Sequence, residues 1–456
     1  MRLDRSNFRR NSQRKRDEGI VIILVAVVML FVVGAMAALS IDVVTLYTAR
    51  SEAQLAADGA ALAAARVLAN SGMTSRPADT TLASNAKALA STVAIQVAQD
   101  NEVGGRNPVA SNGEVIVTFP NDTSTNFGFN PHVTVQVQRT DLPTFFAHIR
   151  GGKQITVAAW ATAEAYNPSG ASASALGGKR PVAPLCVKPW LLPNIDPSNP
   201  PNPIFVTATG ALAPTTTLLL GWTTPPAPPP NPLRLQPACL DCTTLPVPTP
   251  TTFQYYPGGT ATTSTFPPPT QALPTCNPAL TTAYEKSIAG CVQTPIACNG
   301  TAIIDTSPYL TRDTETAQAV NCLTHAAANQ GDQVDLTAAA APSPPFQFLV
   351  GDDNPVAVVN TSLAGKDAMV SDSLVTVPVF DSGNNTLPPP NPVQIVGFVQ
   401  LFVNADGDAT PTAPGNGNTG HVKATVINMV GCGTAAIGTP ILGNGASPVA
   451  VRLISP

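Results

Sequence analysis

The sequence predicts an α+β protein. A single N-terminal transmembrane helix continues into a helix-plus-antiparallel-sheet unit, then come a Pro-rich, disulfide-containing segment and a β-rich C-terminal region. Three observations carry this reading. Residues 20–39 hold no charge, and thirteen of the twenty are Leu, Ile, Val or Phe. At about 1.5 Å per residue they make a helix of roughly 30 Å, the thickness of a bilayer's hydrocarbon core. Past residue 100, apolar residues stop recurring at helical spacing and alternate as in strands. All eight cysteines lie at or beyond Cys186, in a chain with 47 prolines, which sets the later part apart from the first.

Residues 1–18 hold seven Lys or Arg against three acids, while the whole chain has a net charge of −4. A basic tail could bind nucleic acid, but directly before an apolar span it reads as the positive-inside signal. The tail (1–18) is therefore placed in the cytoplasm, the transmembrane helix at 19–42, and everything after Leu39 on the outward side. Ala35-Met36-Ala37 also fits small-x-small signal cleavage. Against cleavage, the helical pattern runs on unbroken to Ala69, with no Pro and an Ala-rich composition. A second helix follows at 79–99, with Leu82, Ala86, Leu89, Val93 and Val97 as its apolar face. Residues 101–112 read as a loop, and 114–119 and 133–139 as strands with one buried face. A short helix over 142–149 ends at Gly151-Gly152, and 154–165 is a third strand.

The first helix carries a resemblance. Ala38-Leu39-Ser40-Ile41-Asp42, then Leu46-Tyr47, Arg50 and Gln54-Leu55-Ala56-Ala57-Asp58-Gly59-Ala60-Ala61-Leu62-Ala63, resemble the N-terminal signature of TadE/TadG-like proteins. Those are membrane-anchored components of the Flp (tight-adherence) pilus assembly machinery of bacteria. Residues 132–165 resemble the anchor domain of that family, so the likeness covers roughly residues 16–166. It implies a pilin-like α+β anchor domain over 43–166.

The stretch 167–180, rich in Ser, Gly and Ala, reads as a linker. Residues 181–340 form a Pro/Thr-rich region whose runs, such as 225–230 and 267–269, favour polyproline II over helix or central strand. Short helices are expected at 282–289 and 314–328, beside the cysteines. Cys186, Cys239, Cys242, Cys276, Cys291, Cys298, Cys322 and Cys432 read as structural disulfides, an even count in an oxidising compartment, with the pairing left open. From 341 to 456 the strands 346–350, 356–360, 374–380, 393–403, 421–429 and 449–454 suggest a β-sandwich or an irregular β-rich domain.

The chain offers little for catalysis. Charged residues are 11% and aromatics 5%, unlike a compact cytosolic enzyme. His132, His148, His325 and His421 are scattered without partners at metal-ligand spacing, so no metal and no cofactor is expected. Cys239-Leu240-Asp241-Cys242 has redox spacing, but Pro237 before it and Leu245-Pro246 after it deny it the helix that lowers a thiol pKa. Asn404-Ala405-Asp406-Gly407-Asp408 resembles part of a calcium loop but lacks the late Glu, so it reads as a turn.

The residues singled out for helix association are Asp42 and Arg50, expected on one side of the helix, and the small pair Gly34 and Ala38, which permits close approach. The expectation is a non-catalytic, single-pass protein of the bacterial inner membrane with its C-terminal region periplasmic or extracellular. Its expected partners are the lipid bilayer, other pilus or pseudopilin subunits and Tad assembly proteins, with no nucleic acid. The rival reading is an adhesin or binding module whose C-terminal region takes a surface ligand.

Overall fold

The structure, a computed structural model, describes residues 6–124, 127–142, 155–170, 180–194, 205–212, 233–237, 252–259, 278–290, 295–304, 309–324, 331–334, 348–351, 361–365, 371–381, 392–403, 422–433, 438–443 and 447–455, with positions 203, 276, 354, 357 and 367–368. Cys239, Cys242, Cys291, His148, His325, His421, the two proline runs, residues 143–149 of the expected short helix and the 404–408 turn lie outside these residues.

Helix α1 (Ser6–Asn70) is one unbroken element of 65 residues, about 100 Å long. From Ala49 onward it changes character: Ala49, Ala53, Ala56, Ala60 and Ala64 are fully buried. A tight turn at Met73–Ser75 reverses the chain into α2 (Thr80–Gln99). The Asp79 carboxylate caps α2 by accepting from the Leu82 amide at 2.9 Å. The stripe that α2 buries fully is Leu82, Ala86, Ala90, Ala94 and Ala98. The expected face was offset from this: Leu89, Val93 and Val97 are only partly buried at its edge. Methyl-sized side chains let two helices and a sheet approach closely, so the alanines take the centre and the larger residues the flanks.

Four strands form the sheet under α1: β1 (Val115–Thr118), β2 (His132–Leu142), β3 (Ile155–Tyr166) and, far along the chain, β16 (Ala450–Ser455). Their order is β1-β2-β3-β16 and every pairing is antiparallel. Alternation puts Val133, Val135 and Val137 of β2 and Ala159, Ala161 and Ala163 of β3 into the core beneath α1.

Between β3 and β16 the chain builds a second unit. It comprises β4 (Val182–Ala183), β5 (Trp190–Pro193), β6 (Leu233–Pro237), β7 (Thr252–Gly259), α3 (Ala283–Ala289), β8 (Thr301–Ile304) and α4 (Tyr309–Leu323). After these come β9 (Gln333–Val334), β10 (Phe348–Leu349), β11 (Asp367–Ala368), β12 (Leu374–Phe380), β13 (Val393–Val403), β14 (Val422–Gly431) and β15 (Ile441–Leu442). The pairings β12-β5-β7-β6-β14-β13 return from β13 to β12, so six strands close a ring, with β8 bridging β13 and β7. Strands from both sides of residue 340 take part in closing this circuit, and closure removes the open edges. Val375, Val377, Val399, Leu401 and Trp190 are buried in one apolar cluster with Tyr284 and Ile288 of α3.

Candidate membrane and subunit interface

Among the described residues one helix is long and apolar enough to cross a membrane, and only 6% of its apolar window is buried inside the chain. Leu30 is 73% and Phe31 76% exposed. Such a surface marks a contact with a membrane or with another protein, because each fully exposed large side chain forgoes about 1.5–3 kcal/mol of burial.

The structure separates the residues expected to act together on α1. Asp42 is buried, at 8% exposure, while Arg50 is exposed. Eight residues at 100° each leave the two about 80° apart, enough to put one against the chain's own fold and the other in solvent. Gly34 has open space where a Cβ would stand, and Ala38 is half-buried. Where α1 leaves the apolar run, the hydroxyls of Ser40, Thr45 and Thr48 donate back to the carbonyls of Met36, Ile41 and Val44 at 2.8, 2.9 and 3.0 Å.

Just above, a charged brace fastens the sheet to the helix. The Gly104 amide donates to Glu52 of α1 at 2.6 Å, and Gly104 lies in the left-handed region. A Cβ there would collide with Leu142 at 2.4 Å and touch Ala49 at 3.6 Å. Arg139 donates to the Val103 and Gly104 carbonyls and to Asp141. Arg106 joins Glu114 at 2.6 Å and Asp141 at 2.5 Å. The Arg106 hydrogen bond holds the Glu114 carboxyl down at about 2, and Arg106 together with Arg139 holds Asp141 at about 2. None of these was singled out from sequence; the Gly104-Gly105 pair was the available signal of a close approach.

At the far end of α1 the two units join through neutral groups. Asn428 of β14 donates to the Ala69 carbonyl and accepts from Ser75 at 2.7 Å. Gln400 of β13 donates to Asn70 at 3.3 Å. The segment that reads as linker begins with two residues of this network. Asn167 donates to the Met429 carbonyl at 2.9 Å, and Ser169 accepts from the Gly431 amide at 2.7 Å, both side chains buried. Alongside, three polar side chains stand in register across β2, β3 and β16: His132, Glu164 and Arg452. Burial alone would raise the Glu164 carboxyl, but the His132 hydrogen bond and the Arg452 charge outweigh it and hold it below the ordinary value.

The cysteines stand in the second unit. Cys276 is bridged to Cys322 and Cys298 to Cys432, and Cys186 is also disulfide-bonded. No free cysteine occurs among the described residues. Lys188 is buried and donates to the Ile288 and Gly290 carbonyls at 2.6 and 2.7 Å, capping the end of α3, and burial lowers its pKa to about 8. Among the described residues no group of three metal-ligating side chains converges.

Residues 19–67 match the family model described as putative Flp pilus-assembly TadE/G-like. The match begins at the apolar run and ends within the alanine stripe of α1. No curated protein and no solved structure matches the chain. The matched segment and the exposed apolar helix together point to a membrane-anchored pilus component.

Proposed function

We propose that this chain is a non-catalytic anchor of a Flp/Tad-type pilus system, held in the bacterial inner membrane by α1 with residues 1–18 in the cytoplasm. The observation that carries the reading is the coincidence of the TadE/G-like match with a helix whose apolar half is uncovered and whose other half is the chain's own core. The pilin-like character lies in that division: one helix serves the bilayer and the fold at once. Neighbouring subunits would pack in the membrane along the side bearing Gly34 and Ala38, where small residues allow close approach. Arg50, farther along the helix, stands in the open on another side, and Asp42 is buried against the chain's own fold.

Crosslinking in cells tests this. A photoreactive side chain at Gly34 or Arg50 should capture pilus subunits, in a protein that resists carbonate extraction and whose residues beyond 181 are digested only from the outer side. Soluble recovery with a mature N-terminus near Ala38 would refute the anchor, and an anchored protein that captures no subunit would refute the pilus role.

A further inference from the structure

We propose that α1 contacts the bilayer beyond Leu39 along one side only, through Ile41, Val44 and Tyr47, so that the folded unit is seated directly on the headgroup layer with no spacer. The inference rests on the anchor reading and adds a second, interfacial lipid contact to it.

Three observations lead here. First, the apolar surface does not stop with the uncharged run: Ile41 is 59%, Val44 64% and Tyr47 74% exposed. The opposite side is closed by the chain itself, with Asp42 at 8% and Ala49 at 0%. Second, the hydroxyls of Ser40, Thr45 and Thr48 are all spent on carbonyls one turn back. That is how a helix hides polar groups from lipid. The side chains at 41, 44 and 47 are large, unlike the small pair Gly34 and Ala38 lower on the helix, which suits helix packing. Third, the lengths agree. If residues 20–39 fill about 30 Å of hydrocarbon, Tyr47 stands eight residues higher, about 11 Å at an ordinary tilt near 20°. Helical side chains lean toward the N-terminus, so its ring reaches back into the headgroup layer, where Tyr favours an apolar body and a wet hydroxyl. The brace at Gly104 meets α1 at Ala49 and Glu52, two to five residues above Tyr47, and the fold already covers Asp42 on the opposite side, so no bare stretch of helix separates the fold from the headgroups.

The test uses the full chain in vesicles of phosphatidylethanolamine and phosphatidylglycerol, with nitroxide labels on Val28→Cys, Val44→Cys, Tyr47→Cys and Leu55→Cys. The unsubstituted protein, carrying its native cysteines, is the labelling control. Accessibility to oxygen, which partitions into lipid, is compared with accessibility to a nickel chelate, which stays in water. The inference expects an oxygen-to-nickel ratio at 44 and 47 several-fold above that at 55, with 28 highest. Water-like ratios at 44 and 47 beside a lipid-like 28 would overturn the inference and leave the anchor standing. A water-like 28 would overturn the anchor reading itself. Shielding of 44 and 47 from both reagents would mean that protein covers this side, and that too overturns it.

Discussion

The helix-on-sheet unit and the strand ring solve the same problem, burial of apolar surface, with different materials. The first packs alanines: Ala53, Ala60, Ala90, Ala161 and their neighbours are buried to the last atom. Its specificity comes from polar pairs at its two ends, Arg106 with Glu114 and Asp141 at the Gly104 end, and Glu164 with Arg452 and the His132 imidazole at the other. The ring packs Val, Phe and Trp, and both disulfides with described partners join residues of its chain segment. Alanines give close approach but little transfer free energy per residue, so the charges must fix the arrangement. The ring has large side chains but long connections, and crosslinks restrict those most when the chain is unfolded. Between the two lies a neutral junction, Asn428, Gln400, Asn167 and Ser169, where an unpaired group would be expensive and every named group has a partner.

The contrast is broken most severely by removing residues 449–456. This takes β16 from the first sheet and leaves buried Glu164 without Arg452, a loss of about 3–5 kcal/mol from the broken pair alone. The helix-on-sheet unit should become protease-sensitive while the disulfide-linked segment resists; equal resistance in both would show that β16 is dispensable. Next, Cys298→Ser with Cys432→Ser opens a closure across 134 residues and should lower stability by about 5 kcal/mol, read as denaturation midpoint, with reductant having a larger effect on the parent because it opens Cys276–Cys322 as well.

Acid should loosen the helix-on-sheet unit. Glu114, Asp141 and Glu164 all have folded pKa values below their ordinary ones, so their stabilisation is present above about pH 4.5 and is lost as pH falls, for Glu114 and Asp141 toward about 2. Hydrogen exchange should therefore show protection of β1, β2 and β3 falling as the pH drops through that window. A smaller effect is expected at the junction: Asn428→Ala takes the side-chain donor from the Ala69 carbonyl, while Ser75 keeps its bonds to Met429, and should cost about 1–3 kcal/mol in thermal or denaturant unfolding. The smallest belongs to Lys87→Ala at the partly exposed pair with Asp122, within about 1 kcal/mol by the same measurement.

Much of this architecture was legible locally. The strands at 374–380 and 393–403 match their sequence-read bounds, and Asp79 caps the helix that its position announces. The uncharged run, the continuous helix and the TadE/G-like signature needed nothing beyond neighbouring residues, because span length, helix propensity and charge asymmetry are local quantities. What sequence could not supply were partners. Leu89 and Ala90 both fit an apolar face, and only the closeness of α1 decides that Ala90 takes the centre. Asn167 and Ser169 look like linker because small polar residues serve equally in a solvated loop and in a buried network. Asp42 and Arg50 were close enough in angle to be read as one surface until the fold covered one of them.

The sequence by itself determined that one helix would be long and apolar enough to cross a membrane, that it would continue as an alanine-lined rod, and that the cysteines would belong to a separate stretch. Tertiary structure alone decided that β16 returns almost 300 residues to complete the first sheet against Tyr166 and Glu164, and that six strands close a ring. Periodicity records how a segment meets its surroundings, one face buried or two. It carries no address for the strand that will lie beside it, because pairing is set by which edges remain open once every other element has packed.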